Sequence, residues 1–410
     1  MIVERFRDDV ILLGNGIRFP MLFDTTTRMP HGVVTDYSLA YHYAKPINST
    51  RPVVDTVGSF LSWAHSRQID LEQRFRSGDL FTSDEVTSLA EFLWLRRNGG
   101  ADAPGSAAGP PLPRSVVGST QGTRIDRVVH FITWRIGEVV SRLSNSDGRV
   151  SSINARLEMV VRQLVSLKGK SVSKPRGMLT EEQCDRLFAI VRPGSPENPF
   201  HRDTQLRNFF ILLLYYELGV RRAEPLVVKG SHLTISARST VLLTHTPNDV
   251  RDPRINQPSL KTKSRLLPMG RVLASTADAL LRERRSNARI AVAAKKTPFV
   301  VLDSDRGKPL SLDACDDMFV VLRRRFPNDF PSDFAAHHLR RSWNYRFTKA
   351  CERAGLKTEE EDKLADHLRR YVMGWSKTSE QPANYNQKAI EEQAFRILLG
   401  MQDALTGEQP

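Results

Sequence analysis

The stretch Phe209 to Leu218, FFILLLYYEL, constrains the fold of this chain more than any other. It sits inside TQLRNFFILLLYYELG, long enough for several helical turns and apolar around its whole circumference. Such a helix belongs in the middle of a core, with other elements on every side. A bilayer span needs about 20 apolar residues, and this run stops well short of that at Gly219, Val220, Arg221 and Arg222. The chain must therefore supply the elements that enclose it, and 410 residues with 40% hydrophobic content suffice for two or three domains.

Candidate enclosing elements lie on both sides. From RPVVDTVGSFLSWAHSRQ onward, Val54, Val57, Phe60, Leu61 and Ala64 recur at helical spacing, and TSDEVTSLAEFLWLRR predicts a second helix capped by Ser83, with Asp84 and Glu85 at the positive end of its dipole. Gly99 to Gly122 is rich in Gly, Pro, Ala and Ser and reads as a flexible loop. Two helical stretches follow, TRIDRVVHFITWRIGEVVSRL and NARLEMVVRQLVSL, the first with Val128, Phe131, Ile132, Ile136 and Val139 on one side. KGKSVSKPRG then has the composition of a basic linker. The expected organisation is a segment 1–50 without an assigned role, a helical domain over 51–168, a linker at 169–177, and a C-terminal domain over 178–400.

The C-terminal part opens on LTEEQCDRLFAIV, with Thr180 as its expected cap. After the apolar helix come three β-like runs, HLTISAR, STVLLTH and KSRLLPM, separated by turn material. A helix (STADALLRERRSNAR), a short apolar run (FVVL) and further helices complete the chain. A small antiparallel sheet among many helices makes the expected class α+β, mainly helical.

Charge narrows the partners. Lys and Arg number 60 against 46 Asp and Glu, a formal +14 with a pI near 9.9, which favours phosphates or an anionic surface. The first twenty residues mix acids with arginines and lack the apolar core of a signal peptide. Three well-separated cysteines, Cys184, Cys315 and Cys351, offer neither a disulfide framework nor a CxxC metal site, so a reducing cytoplasmic setting is expected.

Four stretches could carry chemistry. In ELGVRRAEP an arginine beyond the helix end can sit at the mouth of a cleft with Glu224 expected to orient its guanidinium, an arrangement suited to gripping a phosphate with a planar fork. Alone, it reads more readily as a surface arginine pair at a helix end. In LKTKSRLLPM, Lys261, Lys263 and Arg265 alternate and so share one face of a strand, from which a lysine can protonate a leaving oxygen or simply touch a phosphate. In AAHHLRRSW, His337 and Arg340 share a helical face, and His338 and Arg341 share the neighbouring one. In YVMGWSKTSEQPANYNQ, Trp375 precedes Tyr385, with Pro382 between them. The tetrad His-Leu-Arg-Arg recurs at His367 to Arg370, where it reads as a basic helix face.

In this order the four stretches resemble the boxes of the tyrosine recombinase (phage integrase) family, over about 178–395. LGVRRAEPL is similar to its first arginine box, LKTKSRLLP to its lysine hairpin, HHLRRSW to its His-x-Leu-Arg box, and MGWSKTSEQPANY to its Gly-His/Trp box with the nucleophile. The resemblance implies Arg221 as the first arginine, Glu224 as its supporting glutamate and Lys261 as the hairpin lysine, with Lys263 as rival. Leu339 selects His337 and Arg340 over His338 and Arg341, Trp375 stands where most members have His, and Tyr385 matches the nucleophile. The helical region before them resembles, more loosely, the family's core-binding domain, and the C-terminal domain its integrase-like catalytic fold.

The activity implied is cleavage and rejoining of DNA through a 3′-phosphotyrosyl link, in the integration, excision or transposition of a mobile element. Because bond energy stays in the covalent intermediate, no nucleotide cofactor is needed. No carboxylate cluster stands at metal-ligand spacing, and in the family's reaction arginines meet the charge that metal ions neutralise in other phosphoryl-transfer enzymes. The partners implied are double-stranded DNA and further copies of the chain in a tetrameric synapse, in the cytoplasm at the nucleoid, with no membrane and no cofactor. Two alternatives differ in kind: a non-catalytic DNA-binding regulator on the same scaffold, and a type IB topoisomerase.

Overall fold

The computed structural model describes residues 5–43, 45–95, 116–144, 147–170, 177–260, 262–353, 359–374 and 387–403, and within these the side chains at 352, 359–362, 364, 387–393 and 403 are not described. Among the described residues the chain is mainly helical with two small antiparallel sheets, and it divides into two compact units, Met1–Pro175 and Arg176–Pro410. Among the described residues, no helix is long and apolar enough to cross a membrane.

The first unit opens on a hairpin, β1 (Phe6–Leu12) and β2 (Arg18–Asp24), whose register runs from Phe6 opposite Asp24 to Leu12 opposite Arg18. Helices α1 (Gly32–His42), α2 (Ile47–Ser66), α3 (Leu71–Ser77), α4 (Ser83–Phe92), α5 (Gly118–Val140) and α6 (Arg149–Ser166) follow. The hairpin packs on α2, so the segment before residue 51 belongs to the same unit as the helices after it. Val54, Val57, Phe60, Leu61 and Ala64 of α2 are buried, as are Val128, Phe131, Ile132 and Ile136 of α5, and these residues share one core.

Two local expectations need correction. Thr82, not Ser83, caps α4: its hydroxyl accepts from the Glu85 amide at 3.3 Å while the Glu85 carboxylate accepts from the Thr82 amide at 2.8 Å. A reciprocal capping box satisfies two otherwise orphaned donors, and only the residue three before Glu85 can close it. Helix α5 begins at Gly118, so residues 118–122 are its first turns and not loop. Gln121 there is buried and donates to the carbonyls of Ala90 and Leu167, a tertiary anchor that overrides local composition.

The second unit contains α7 (Glu181–Val191), α8 (Arg202–Leu218), β3 (Leu233–Thr234), β4 (Thr240–Leu243), β5 (Arg265–Pro268), α9 (Arg271–Ser286), α10 (Ala291–Lys295), α11 (Leu312–Arg325), α12 (Ala336–Arg353), α13 (Glu359–Met373) and α14 (Gln387–Asp403). Thr180 caps α7 as expected, in a capping box with Gln183. The three β-like runs form an antiparallel sheet of order β3-β4-β5. The long connection between β4 and β5 is pinned by buried ion pairs, Lys229 to Asp249 at 2.7 Å and Arg254 to Asp252 at 2.8 Å.

Helix α8 is the centre of this unit: every residue from Phe210 to Leu218 is buried, with α7, α9, α12 and α14 among its neighbours. Its one acid in that stretch, Glu217, is buried with Oε2 unpartnered, and burial pushes its pKa up to about 8 even though the Arg346 charge pulls it down. A carboxyl whose pKa is raised on folding favours the folded state fully only below its unfolded value of 4.5, and that advantage is lost as pH rises through 8. Glu217→Gln is therefore expected to flatten the loss of stability between pH 4.5 and 8 and to stabilise the protein at pH 7 by on the order of 3 kcal/mol. Urea unfolding midpoints across that range measure it, and identical pH profiles for the two proteins would refute it.

Candidate active site

The end of α8 sets the site's geometry. Gly219 terminates the helix with φ +59°, and a Cβ there would stand 2.6 Å from Trp343 Cδ2. Trp343, on α12, is fully buried, stacks on Phe347 and donates its indole N–H to the Glu217 carbonyl at 2.9 Å. The left-handed turn and the indole together fix how the chain leaves α8 toward Arg221. Gly219→Ala imposes both a strained backbone and an overpacked contact, for an expected loss of about 3 kcal/mol. A urea midpoint unchanged from wild type would contradict this.

Arg221, His337 and Arg340 line one cavity of about 560 Å³. Arg340, one turn after His337 on α12, donates to the carbonyls of Gly219 and of Met373, the latter at 3.3 Å, and so bridges the ends of α8 and α13. Its pKa is lowered to about 10, first by burial and then by the Arg221 charge, which still leaves it protonated at neutral pH. Arg221 is likewise lowered by burial, with Glu224 raising it, and its Nη1 is buried without a hydrogen-bond partner. The Arg221 charge disfavours the charged form of Arg340, and an anion bound between the two guanidiniums would relieve that repulsion. Arg222 pairs with Asp316 at 2.6 Å on the cavity wall, and Arg323 of α11 donates to the Phe334 carbonyl.

The adjacent histidines separate. His337 is exposed and lines the cavity, whereas His338 is fully buried. His338 accepts at Nδ1 from the Ala335 amide at 3.2 Å, capping its own helix, and lies against Phe334. Arg341 donates to the Gly177 carbonyl at 2.8 Å and is not part of the cavity wall. In the second tetrad, Leu368 is buried, Arg369 donates to the Thr348 hydroxyl and Arg370 pairs with Asp366 one turn away, as a basic helix face does.

The hairpin differs from expectation. Strand β5 starts only at Arg265, so Lys263 precedes the strand and does not share a strand face with Arg265. Arg265 points into the core with 3% exposure while Lys263, in the chain before the strand, is exposed. The reason is Glu224, a fully buried carboxylate that requires a cation. Arg265 supplies it through a bidentate pair, Nη1 to Oε1 at 2.8 Å and Nη2 to Oε2 at 3.0 Å. Burial alone would raise the Glu224 pKa, but the Arg265 charge and hydrogen bonds from Arg265, Thr262 and the Arg221 amide hold it below the usual carboxylate value. Glu224 therefore does not orient the Arg221 guanidinium: it accepts from the Arg221 backbone amide at 2.5 Å, fixing the turn instead.

Arg265 and Thr262 are the residues that sequence reasoning did not place in the site. The only hint of them was an acid set among apolar residues, Ala223, Pro225 and Leu226, which does not say which distant residue pairs with it. Lys261, Trp375 and Tyr385 lie outside the described residues. The described chain reaches Gly374, whose φ is +63° and whose carbonyl accepts from the Lys263 amide at 3.1 Å.

No family model matches the sequence, and no curated protein matches it. Among solved structures the chain is similar to a XerH site-specific recombinase bound to difH substrate in a pre-cleavage complex, at 12% identity and a TM-score of 0.39, over 87% of this chain and 92% of that one. It is similar to a XerA recombinase at 12% identity and a TM-score of 0.32, over 92% and 97% of the two chains. A lambda integrase dimer bound to a COC' core site matches at 13% identity and a TM-score of 0.34, over 90% and 92%. These three are tyrosine recombinases, the family that the four boxes resemble.

Proposed function

We propose that this chain is a DNA strand transferase of the tyrosine-recombinase kind, cleaving and rejoining DNA at a specific site for the movement of a genetic element. The observation that carries the reading is the convergence of Arg221, His337 and Arg340, from two distant segments, on one cavity where the Arg221 Nη1 is buried without a hydrogen-bond partner. An attacked phosphodiester gains negative charge in its transition state, and fixed guanidiniums at its non-bridging oxygens stabilise that charge without reorganising.

In the proposed reaction the Tyr385 oxygen attacks phosphorus and its proton passes to His337. The P–O bond to the 5′ carbon's oxygen breaks, and Lys261, with Lys263 as alternative, gives that oxygen its proton. Arg221, Arg340 and the Trp375 indole N–H hold the non-bridging oxygens, with Glu224 supporting the Arg221 turn. The product is a 3′-phosphotyrosine and a free 5′-hydroxyl, and attack by another strand's 5′-hydroxyl reverses the step. Recombination of two duplexes joins four strand ends, so the working form is a tetramer on DNA.

The test is metal-free. Purified protein is incubated in EDTA with nicked duplexes drawn from the DNA flanking its gene, and denaturant-resistant protein–DNA adducts are scored and mapped. Adducts at Tyr385 are expected; DNA binding with no adduct from any such duplex would favour a regulatory DNA-binding protein. Arg340→Ala is expected to slow adduct formation by ~100- to 1,000-fold, the usual cost of one transition-state donor. An Arg340→Ala rate equal to wild type would remove that residue from the site.

A further inference from the structure

The buried guanidinium of Arg265 joins three segments that are far apart in sequence. It pairs with Glu224 in the turn after α8, it donates through Nε to the Val372 carbonyl at the end of α13 at 2.5 Å, and it begins the strand that follows Lys261 and Lys263. Each segment is tied to the others a second time. Glu224 accepts from the Thr262 hydroxyl at 2.7 Å and from the Arg221 amide at 2.5 Å. The Lys263 amide donates to the Gly374 carbonyl at 3.1 Å. At Gly374 a Cβ would stand 2.8 Å from Arg265 Nη1 and 2.9 Å from Thr262 Cβ, so the chain passes close over the pair just before Trp375.

A planar guanidinium suits this junction: its fork occupies both Glu224 oxygens while the remaining Nε–H reaches a third segment. With exposures of 1% and 0%, the side chains of the pair have no contact with a DNA strand, so the pair acts only through what it holds. We infer that Arg265 is a positioning residue for the proposed cleavage: with Glu224 it locks the Arg221 turn, the chain following Lys261 and the α13 end preceding Trp375 into one block, so that groups from three segments meet one phosphate in register. This rests on the recombinase reading. Misplacement of a reacting group by about 1 Å costs on the order of 100-fold in rate, which is the scale of effect such a lock controls.

The experiment compares the full chain with Glu224→Gln/Arg265→Met, which removes both charges and leaves neither buried alone. Three quantities are read: the urea midpoint, affinity for the nicked duplexes, and the single-turnover rate of adduct formation. Hydrogen exchange at the Lys263 amide is followed on the same proteins. A double variant that is folded and binds DNA like wild type, yet forms adduct ~100-fold more slowly with faster exchange at Lys263, is the expected result. A folded double variant with wild-type adduct rate would show the pair to be structural only and would overturn the inference. Should the double variant fail to fold, Arg265→Lys, which keeps the charge and loses the fork, is read in the same way with the same two outcomes. If wild type itself forms no adduct, the recombinase reading falls separately, and exchange still decides the lock: unchanged Lys263 protection refutes it and lost protection upholds it.

Discussion

Tyr385→Phe is expected to abolish the covalent protein–DNA adduct completely while leaving affinity for the same duplex unchanged. The substitution removes one oxygen, the atom that bonds to phosphorus in the proposed reaction. An unperturbed tyrosine titrates near 10, so at neutral pH it needs a base, and His337 is the exposed imidazole on the cavity that already holds Arg221 and Arg340. In the proposed reading affinity is expected to come instead from cations meeting phosphates along the duplex, a contribution indifferent to one phenolic hydroxyl and steeply weakened by salt. The two readouts thus separate cleanly: gel-resolved adducts report the nucleophile, and fluorescence anisotropy at fixed salt reports binding. Adduct formation by the Phe variant at the wild-type rate would assign the nucleophile to another hydroxyl and dissolve the correspondence of the last box.

How far the sequence could be read depends on whether the relevant interaction is local. Helix α8 was legible because a run apolar on every side has one physical home, and all of Phe210 to Leu218 is buried. The Thr180 cap was legible because its capping box spans three residues. The β1-β2 hairpin was not: β1 carries Asp8 and Asp9, residues disfavoured in strands, and its burial comes from packing on α2, which no window of sequence contains. The site divides in the same way. His337 and Arg340 share a helical face by spacing alone, and their common cavity follows from the helix. The two histidines differ in the structure as exposure against burial, and His338 caps its own helix, a local bond that the doubled histidine conceals. The Glu224 to Arg265 pair, 41 residues apart, was unreadable, because alternation along KTKSR predicts three cations on one face and says nothing of a buried acid elsewhere that claims one of them.

That buried pair carries the largest expected effect on stability. Arg265→Met alone leaves the Glu224 carboxylate in the core with only Thr262 and the Arg221 amide beside it, and the expected loss is about 3–5 kcal/mol, the usual consequence of orphaning one member of a buried ion pair. Removing both charges together is expected to cost far less, because a desolvated pair gains little over a neutral replacement of similar shape. A double-mutant cycle of Glu224→Gln and Arg265→Met, read by urea unfolding, therefore predicts strong non-additivity. The pH dependence carries the same sign. Glu224 is held below its unfolded value of 4.5, so its contribution is present above that pH and is lost as pH falls through the lower folded value. In Arg265→Met that acid-side loss should vanish, since a carboxyl buried without its cation is pushed upward and is lost instead as pH rises. Additive single costs, or an acid limb unaltered by Arg265→Met, would mean that the guanidinium and the carboxylate do not depend on each other, and a fully buried charge pair in bidentate contact leaves no physical room for that independence.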